Sequence, residues 1–154
     1  MDKYLAAIGI LYLGAVAWPL SKTDILEHRL PNKLVLPAFP IILLGHILAE
    51  FSAGQWWRIW LSLGAAALAL VVGVLANRFA SLGMGDVKLI SAMVQALAWY
   101  SPILPLLALL FAFVIASGVV LVNIVRRKGG LGSTIALGPF LLAGFAITLP
   151  SIGW

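Results

Sequence analysis

The chain holds three aspartates, Asp2, Asp24 and Asp86, and two of them stand in settings that suit chemistry. Asp86 lies in Ser81-Leu82-Gly83-Met84-Gly85-Asp86-Val87-Lys88, just ahead of a long charge-free run. Glycines at 83 and 85 remove side chains on either side of Met84 and let another backbone come close to the carboxylate. Taken alone, Asp86 reads equally well as an acid at a helix N-terminus, where backbone N–H dipoles favour negative charge. Asp24 lies in the most charged stretch of the chain, Lys22 to Lys33. Two carboxylates brought close together cannot both ionise cheaply, so one keeps a proton and the other does not. That division suits hydrolysis: the ionised group takes a proton from water while the protonated one polarises the scissile carbonyl. Such a dyad needs neither a nucleophilic side chain nor a metal. Other hydrolytic sets are poorly supplied, since there is no cysteine and no visible serine–histidine pairing, and His28 and His46 lack the spacing of a zinc site. His28 reads as a polar loop residue and His46 as a satisfied or interfacial one.

The elements that must position these acids are membrane helices. Hydrophobic residues make up 63% of the chain and charged residues 10%, and the mean hydropathy is +1.11. A soluble domain carries about a quarter charged residues, so this is the composition of an integral membrane protein. The length suits one membrane-embedded domain, residues 1–154, with no separate soluble module. The net charge of +5 comes from residues scattered at the ends of apolar segments, which is the pattern of topology signals and not of nucleic-acid binding.

In order, the apolar segments predict six spans. The first runs from Tyr4 to Ser21 with a possible bend at Pro19; Ala15-Val16-Ala17 resembles a signal-peptide cleavage site, but Asp2 cancels Lys3 where such a peptide wants net positive charge. Within the charged stretch Pro31 cannot continue a helix begun before it, and Asn32 is a natural cap for the second span, Leu34 to Ala49. Glu50 to Arg58 forms a polar connection with paired tryptophans. The third span is Ile59 to Ala76, where Gly64 and Gly73 would permit close packing. Leu89 to Val125 is charge-free and as one helix would reach ~56 Å, so it must fold back at Trp99-Tyr100-Ser101-Pro102 into spans four and five. Ile135 to Leu149, stopped by Pro150, is the sixth. Eight of the ten basic residues follow odd-numbered spans (Lys22, Arg29, Lys33, Arg78, Lys88, Arg126, Arg127, Lys128), against Lys3 and Arg58 on the other side. The positive-inside rule then puts both termini outside and both Asp24 and Asp86 on the cytoplasmic face.

With that order established, the motifs carry a resemblance. Asp24 with Pro31-Asn32, and Gly83-Met84-Gly85-Asp86-Val87-Lys88, resemble the two signature blocks of the type IV prepilin peptidases and preflagellin peptidases, membrane aspartyl proteases of the Gly-x-Gly-Asp type. Ala136-Leu137-Gly138-Pro139-Phe140 is similar to the Gly-Pro-Phe segment that opens that family's last helix. The resemblance implies an all-α polytopic enzyme in the cytoplasmic (inner) membrane of a prokaryote. It implies that Asp24 and Asp86 are catalytic, supported by Gly83, Gly85, Lys88, Pro31 and Asn32. Its substrates would be prepilins or pseudopilins, proteins of pili or secretion systems, losing a short basic leader after a glycine on the cytoplasmic side. No cofactor or metal is implied. Larger bacterial members add two Cys-x-x-Cys pairs and methylate the new terminus; lacking cysteine, this chain matches the short, peptidase-only form.

Simpler roles compete for the remaining residues. Lys88 could tune Asp86 or only snorkel from a span end. Glu27 could meet a basic leader, as Gly138, Pro139 and Phe140 could meet the substrate, or it could pair locally with Arg29 or Lys33. Arg126-Arg127-Lys128 is first a topology signal and second a contact for anionic lipid. The rival functions are a small transporter or proton-relay subunit, whose acids would lie mid-bilayer in broken helices, and a non-catalytic assembly subunit.

Overall fold

A computed structural model describes residues 2–27, 29–80, 82–126 and 136–153, and no strand occurs among them. The architecture is that of an all-α polytopic membrane protein. Four stretches are long and apolar enough to cross a membrane: Asp2–Glu27, Asn32–Ala53, Trp57–Phe79 and Leu104–Val125. His28, Ser81, Arg127, Lys128 and Ile135, to which topology or motif roles were given above, lie outside the described residues.

The first stretch comprises α1 (Asp2–Ala6) and α2 (Ile8–Glu27). Its irregularity falls at Ala7, and α2 continues through Pro19. It also runs past Ser21, so Asp24 belongs to the last helical turn and not to a loop. The second stretch is α3 (Asn32–Val35) and α4 (Ala38–Ala53), separated where Pro37 cannot continue the first helix. Pro40 falls in the first turn of α4, where a missing N–H costs little. Asn32 is not the cap expected of it: Pro31 occupies that position with no side-chain hydrogen bond, and Asn32 is the first helical residue.

Helix α4 ends on Gly54, whose N–H donates to the Glu50 carbonyl at 2.8 Å and whose φ of +69° turns the chain out of the helix. Glu50 is therefore helical and fully buried, which corrects its reading as part of a polar connection. α5 (Trp57–Ala80) returns along the bundle, with Trp57 and Trp60 exposed near its start. α6 (Met84–Ala98) is short, and Val87 and Leu89 through Trp99 are buried. The fold-back at Trp99-Tyr100-Ser101 then leads into α7 (Leu104–Val125). α8 (Gly138–Thr148) ends before Pro150 and passes into a 3-10 turn, Leu149–Ile152.

α6 is the centre of the bundle: α5 packs along it, and α2, α3, α4, α7 and α8 also touch it. Close approach depends on missing side chains. A Cβ on Gly73 would lie 2.6 Å from Val87 Cγ1, between α5 and α6, and one on Gly144 would collide with the Ala108 carbonyl of α7. Gly64 faces open space and does not have the packing role expected of it.

Hydrogen bonds mark the two ends of the bundle. At one end Lys3 Nζ donates to the Gly153 carbonyl, Tyr100 Oη donates to the Lys3 carbonyl at 2.9 Å, and Ser52 Oγ donates to Asp2 at 3.0 Å. Both ends of the described chain thus meet the α4–α5 and α6–α7 turns there. The opposite end carries Asp24, Asp86 and the start of α8.

Candidate active site

Asp24 is 5% exposed. Its Oδ2 accepts a 2.8 Å hydrogen bond from the N–H of Gly138, the first residue of α8 and 114 positions away. The opening N–H groups of a helix have no partner within it, and Pro139 at the next position contributes none. An acid oxygen at that terminus, already accepting an N–H, is well placed to carry negative charge. Glycine at 138 is what admits it: a Cβ would stand 2.7 Å from Asp24 Oδ2 and 3.3 Å from Leu30 Cδ2.

Asp86 sits in the first turn of α6, ahead of the apolar run that begins at Leu89. Its Oδ1 is buried and has no hydrogen-bond partner among the described residues. Burial, with the neighbouring charge of Asp24 as the second cause, pushes its pKa up to about 6. The two acids therefore occupy unlike settings: one is served by a backbone donor, and the other is desolvated with an oxygen left unpaired.

Both acids line one cavity of about 410 Å³, together with Arg29, Leu30, Asn32, Gly83, Met84, Gly85 and Lys88. The structure thus brings together the Gly-Met-Gly-Asp block, Asn32 and Lys88, with Pro31 immediately before Asn32. Lys88 neither snorkels free nor bonds to Asp86: its Nζ donates to Asn32 Oδ1 at 2.9 Å, tying the start of α3 to the first turn of α6. Glu27 is exposed and lines no part of the cavity. Pro139 and Phe140 are partly buried and also stand outside it, so within that block the link to the acids is Gly138.

Sequence reasoning missed Leu30, Arg29 and Met84. Leu30 is 8% exposed and is the wedge of the site. A Cβ on Gly85 would stand 2.8 Å from its Cβ and 3.3 Å from its backbone N. Gly85 is therefore required by the loop after α2 and not by direct contact with Asp24. A Cβ on Gly83 would meet Asp86 Oδ2 itself at 2.8 Å. Nothing local marked Leu30, an apolar residue in a charged stretch, except its place just before Pro31. No three His, Asp or Glu side chains converge as metal ligands among the described residues.

Comparison with curated proteins and with solved structures finds no match. A family model, that of the type IV leader peptidase family, matches residues 10–122, a stretch that contains both Asp24 and Asp86 and ends before Gly138. That match spans well over half of the chain, and with a helical membrane fold around it the chain belongs to the type IV leader peptidase family.

Proposed function

We propose that this protein is an aspartic endopeptidase that removes the short basic leader from prepilin or pseudopilin precursors at the cytoplasmic face of the membrane. The observation that carries this reading is the pair of unlike carboxylates on one cavity at one end of the bundle. Family membership supports a leader peptidase in general, and this geometry supports the aspartic mechanism.

Asp24, held by the Gly138 N–H, acts as general base. Asp86, protonated, donates to the scissile carbonyl oxygen. Water loses a proton to Asp24 as its oxygen attacks the carbonyl carbon, and the carbonyl oxygen takes the Asp86 proton to give a neutral gem-diol. Collapse returns a hydroxyl proton to Asp86 and passes the Asp24 proton to the leaving nitrogen. The C–N bond breaks, and both carboxyls regain their starting states. Lys88, Asn32, Leu30 and the two glycines hold this geometry.

The test is coexpression with a prepilin-type precursor and N-terminal sequencing of the product. Scission between leader and apolar helix is expected, and an intact precursor contradicts the reading. The side of the membrane is checked in the same cells. Cysteines replacing Lys22 or Arg78 should be shielded from an impermeant thiol reagent, and one replacing Ala53 should be labelled. Labelling at Lys22 from outside would place the cavity on the wrong face for a leader.

A further inference from the structure

The cavity holding the aspartates accounts for a leader, but a precursor of this class continues into an apolar helix that must also be seated. α4 and α5 run antiparallel and are joined near their connecting turn, where Ser62 Oγ and His46 Nδ1 lie 3.3 Å apart. Toward the aspartate end they part. An apolar groove of about 360 Å³ opens there, with Phe39 and Leu43 on one wall and Ala66, Ala67 and Leu70 on the other. Its only polar lining residue among those described is Gln95 of α6. Gln95 is 2% exposed, its Nε2 reaches the Phe39 carbonyl at a long 3.5 Å, and its Oε1 is buried without a partner.

An unpaired amide carbonyl inside a membrane bundle is costly. Lipid tails match the groove walls but offer that carbonyl no donor. The groove is also aligned with the cavity above it. Gln95 lies seven residues after Lys88, two turns along the same face of α6, so the groove floor is about 10 Å below the cavity. The alanines on α5 leave room for another helix to approach.

We propose, on the basis of the peptidase reading above, that this groove seats the first turns of the precursor's apolar helix as its scissile bond lies at Asp24 and Asp86. The Gln95 carbonyl accepts a hydrogen bond from a donor side chain (a hydroxyl, an amide or a protonated carboxyl) about seven residues beyond the cut. Specificity then has two parts, the extended leader in the cavity and a polar position on the helix below it.

The cysteine-free chain allows a direct test. Single cysteines replace Leu43 or Ala67 in the groove, and Val72 or Leu106 in the separate apolar cleft between α5 and α7. Each is combined with Asp86→Asn to keep the precursor uncut. The probe is a synthetic precursor with a basic leader, a glycine, an apolar helix and one cysteine about seven residues past the glycine. Oxidation in membranes should cross-link it to the Leu43 and Ala67 positions and not to the other two. Cross-links from Val72 or Leu106 instead, enzyme–enzyme cross-links filling the groove, or no cross-link overturn the proposal. Cleavage of the same probe by the unmodified protein is followed in parallel. If that cleavage fails, the peptidase reading is what has failed; if it succeeds without groove cross-links, only the groove assignment is wrong. Gln95→Leu removes the acceptor and leaves an apolar side chain suited to its surroundings. It should raise KM for the probe about tenfold with a much smaller change in kcat. A fall in kcat with KM unchanged would make Gln95 structural.

Discussion

Asp24 and Glu50 are both acids buried in a membrane bundle, at opposite ends of it, and they are held in different ways. Glu50 is fully buried; its Oε2 accepts the Gln55 N–H at 2.6 Å, a bond within its own turn that closes the α4–α5 connection, while its Oε1 is buried with no hydrogen-bond partner among the described residues. Around it His46 stacks on Trp99 and the Arg58 guanidinium lies 5.0 Å over the same ring. Asp24 takes its donor from the other end of the sequence, faces a cavity and has a second carboxylate beside it. A buried acid served by its nearest neighbours ties a turn together. One whose setting is assembled from three distant segments, and left open to a ligand, is arranged for chemistry.

The largest expected effect separates these two acids. Asp24→Asn and Asp86→Asn should each insert normally and lower precursor cleavage roughly a thousandfold or more, because one carboxyl cannot serve as both base and acid. Glu50→Gln should retain cleavage and instead lower thermal stability in detergent by about 1–3 kcal/mol, the usual cost of disturbing a buried hydrogen bond. A Glu50 variant as inactive as the aspartate variants would break the contrast.

Smaller effects follow from the groups that hold the aspartates. Gly138→Ala places a methyl 2.7 Å from Asp24 Oδ2. It should cost about 10- to 100-fold in kcat through misplacement of the base, with the protein still inserted. Gly85→Val pushes on the backbone of Leu30 and should impair cleavage comparably and stability more. Gly83→Ala meets only the movable end of a side chain, so the fold should tolerate it. That side chain is Asp86, however, so activity should fall. Lys88→Met, which loses the bond to Asn32, should slow cleavage only a few-fold, as expected for one partly exposed hydrogen bond. Steady-state assays beside melting curves check all four, and a Gly138→Ala enzyme at full rate would remove α8 from the site.

The aspartates were legible because acids are rare in so apolar a chain, and the fold-back before α7 because an unbroken helix would have been too long for a bilayer. The four long helical stretches follow from hydropathy, but their ends do not: the first runs past Ser21 to Glu27 and the third past Ala76 to Ala80. Other features had no local signal. Lys88 and Asn32 are 56 residues apart, and their bond depends on how α3 meets α6. Leu30 matters only because glycines from α6 and α8 close around it. Glu50 was misread because Ser52, Gln55 and Arg58 follow it, although Gly54 was the sequence's own signal that the helix continues to Ala53. Gln95 lies within an apolar run and shows its unpaired carbonyl only once α4 and α5 are in place.

The central claim is that the two carboxylates share the work unequally, with Asp86 holding the proton. The pH dependence of kcat/KM for precursor cleavage tests this most directly. Because burial and the Asp24 charge raise the Asp86 pKa to about 6, Asp86 is protonated below that value and loses its proton above it. In the free enzyme kcat/KM should therefore fall as pH rises through about 6, with an apparent pKa that belongs to the pair. A rate that stays level or climbs between pH values well below and well above 6 would mean that no protonated Asp86 is needed, and the division of roles between the two aspartates would be wrong.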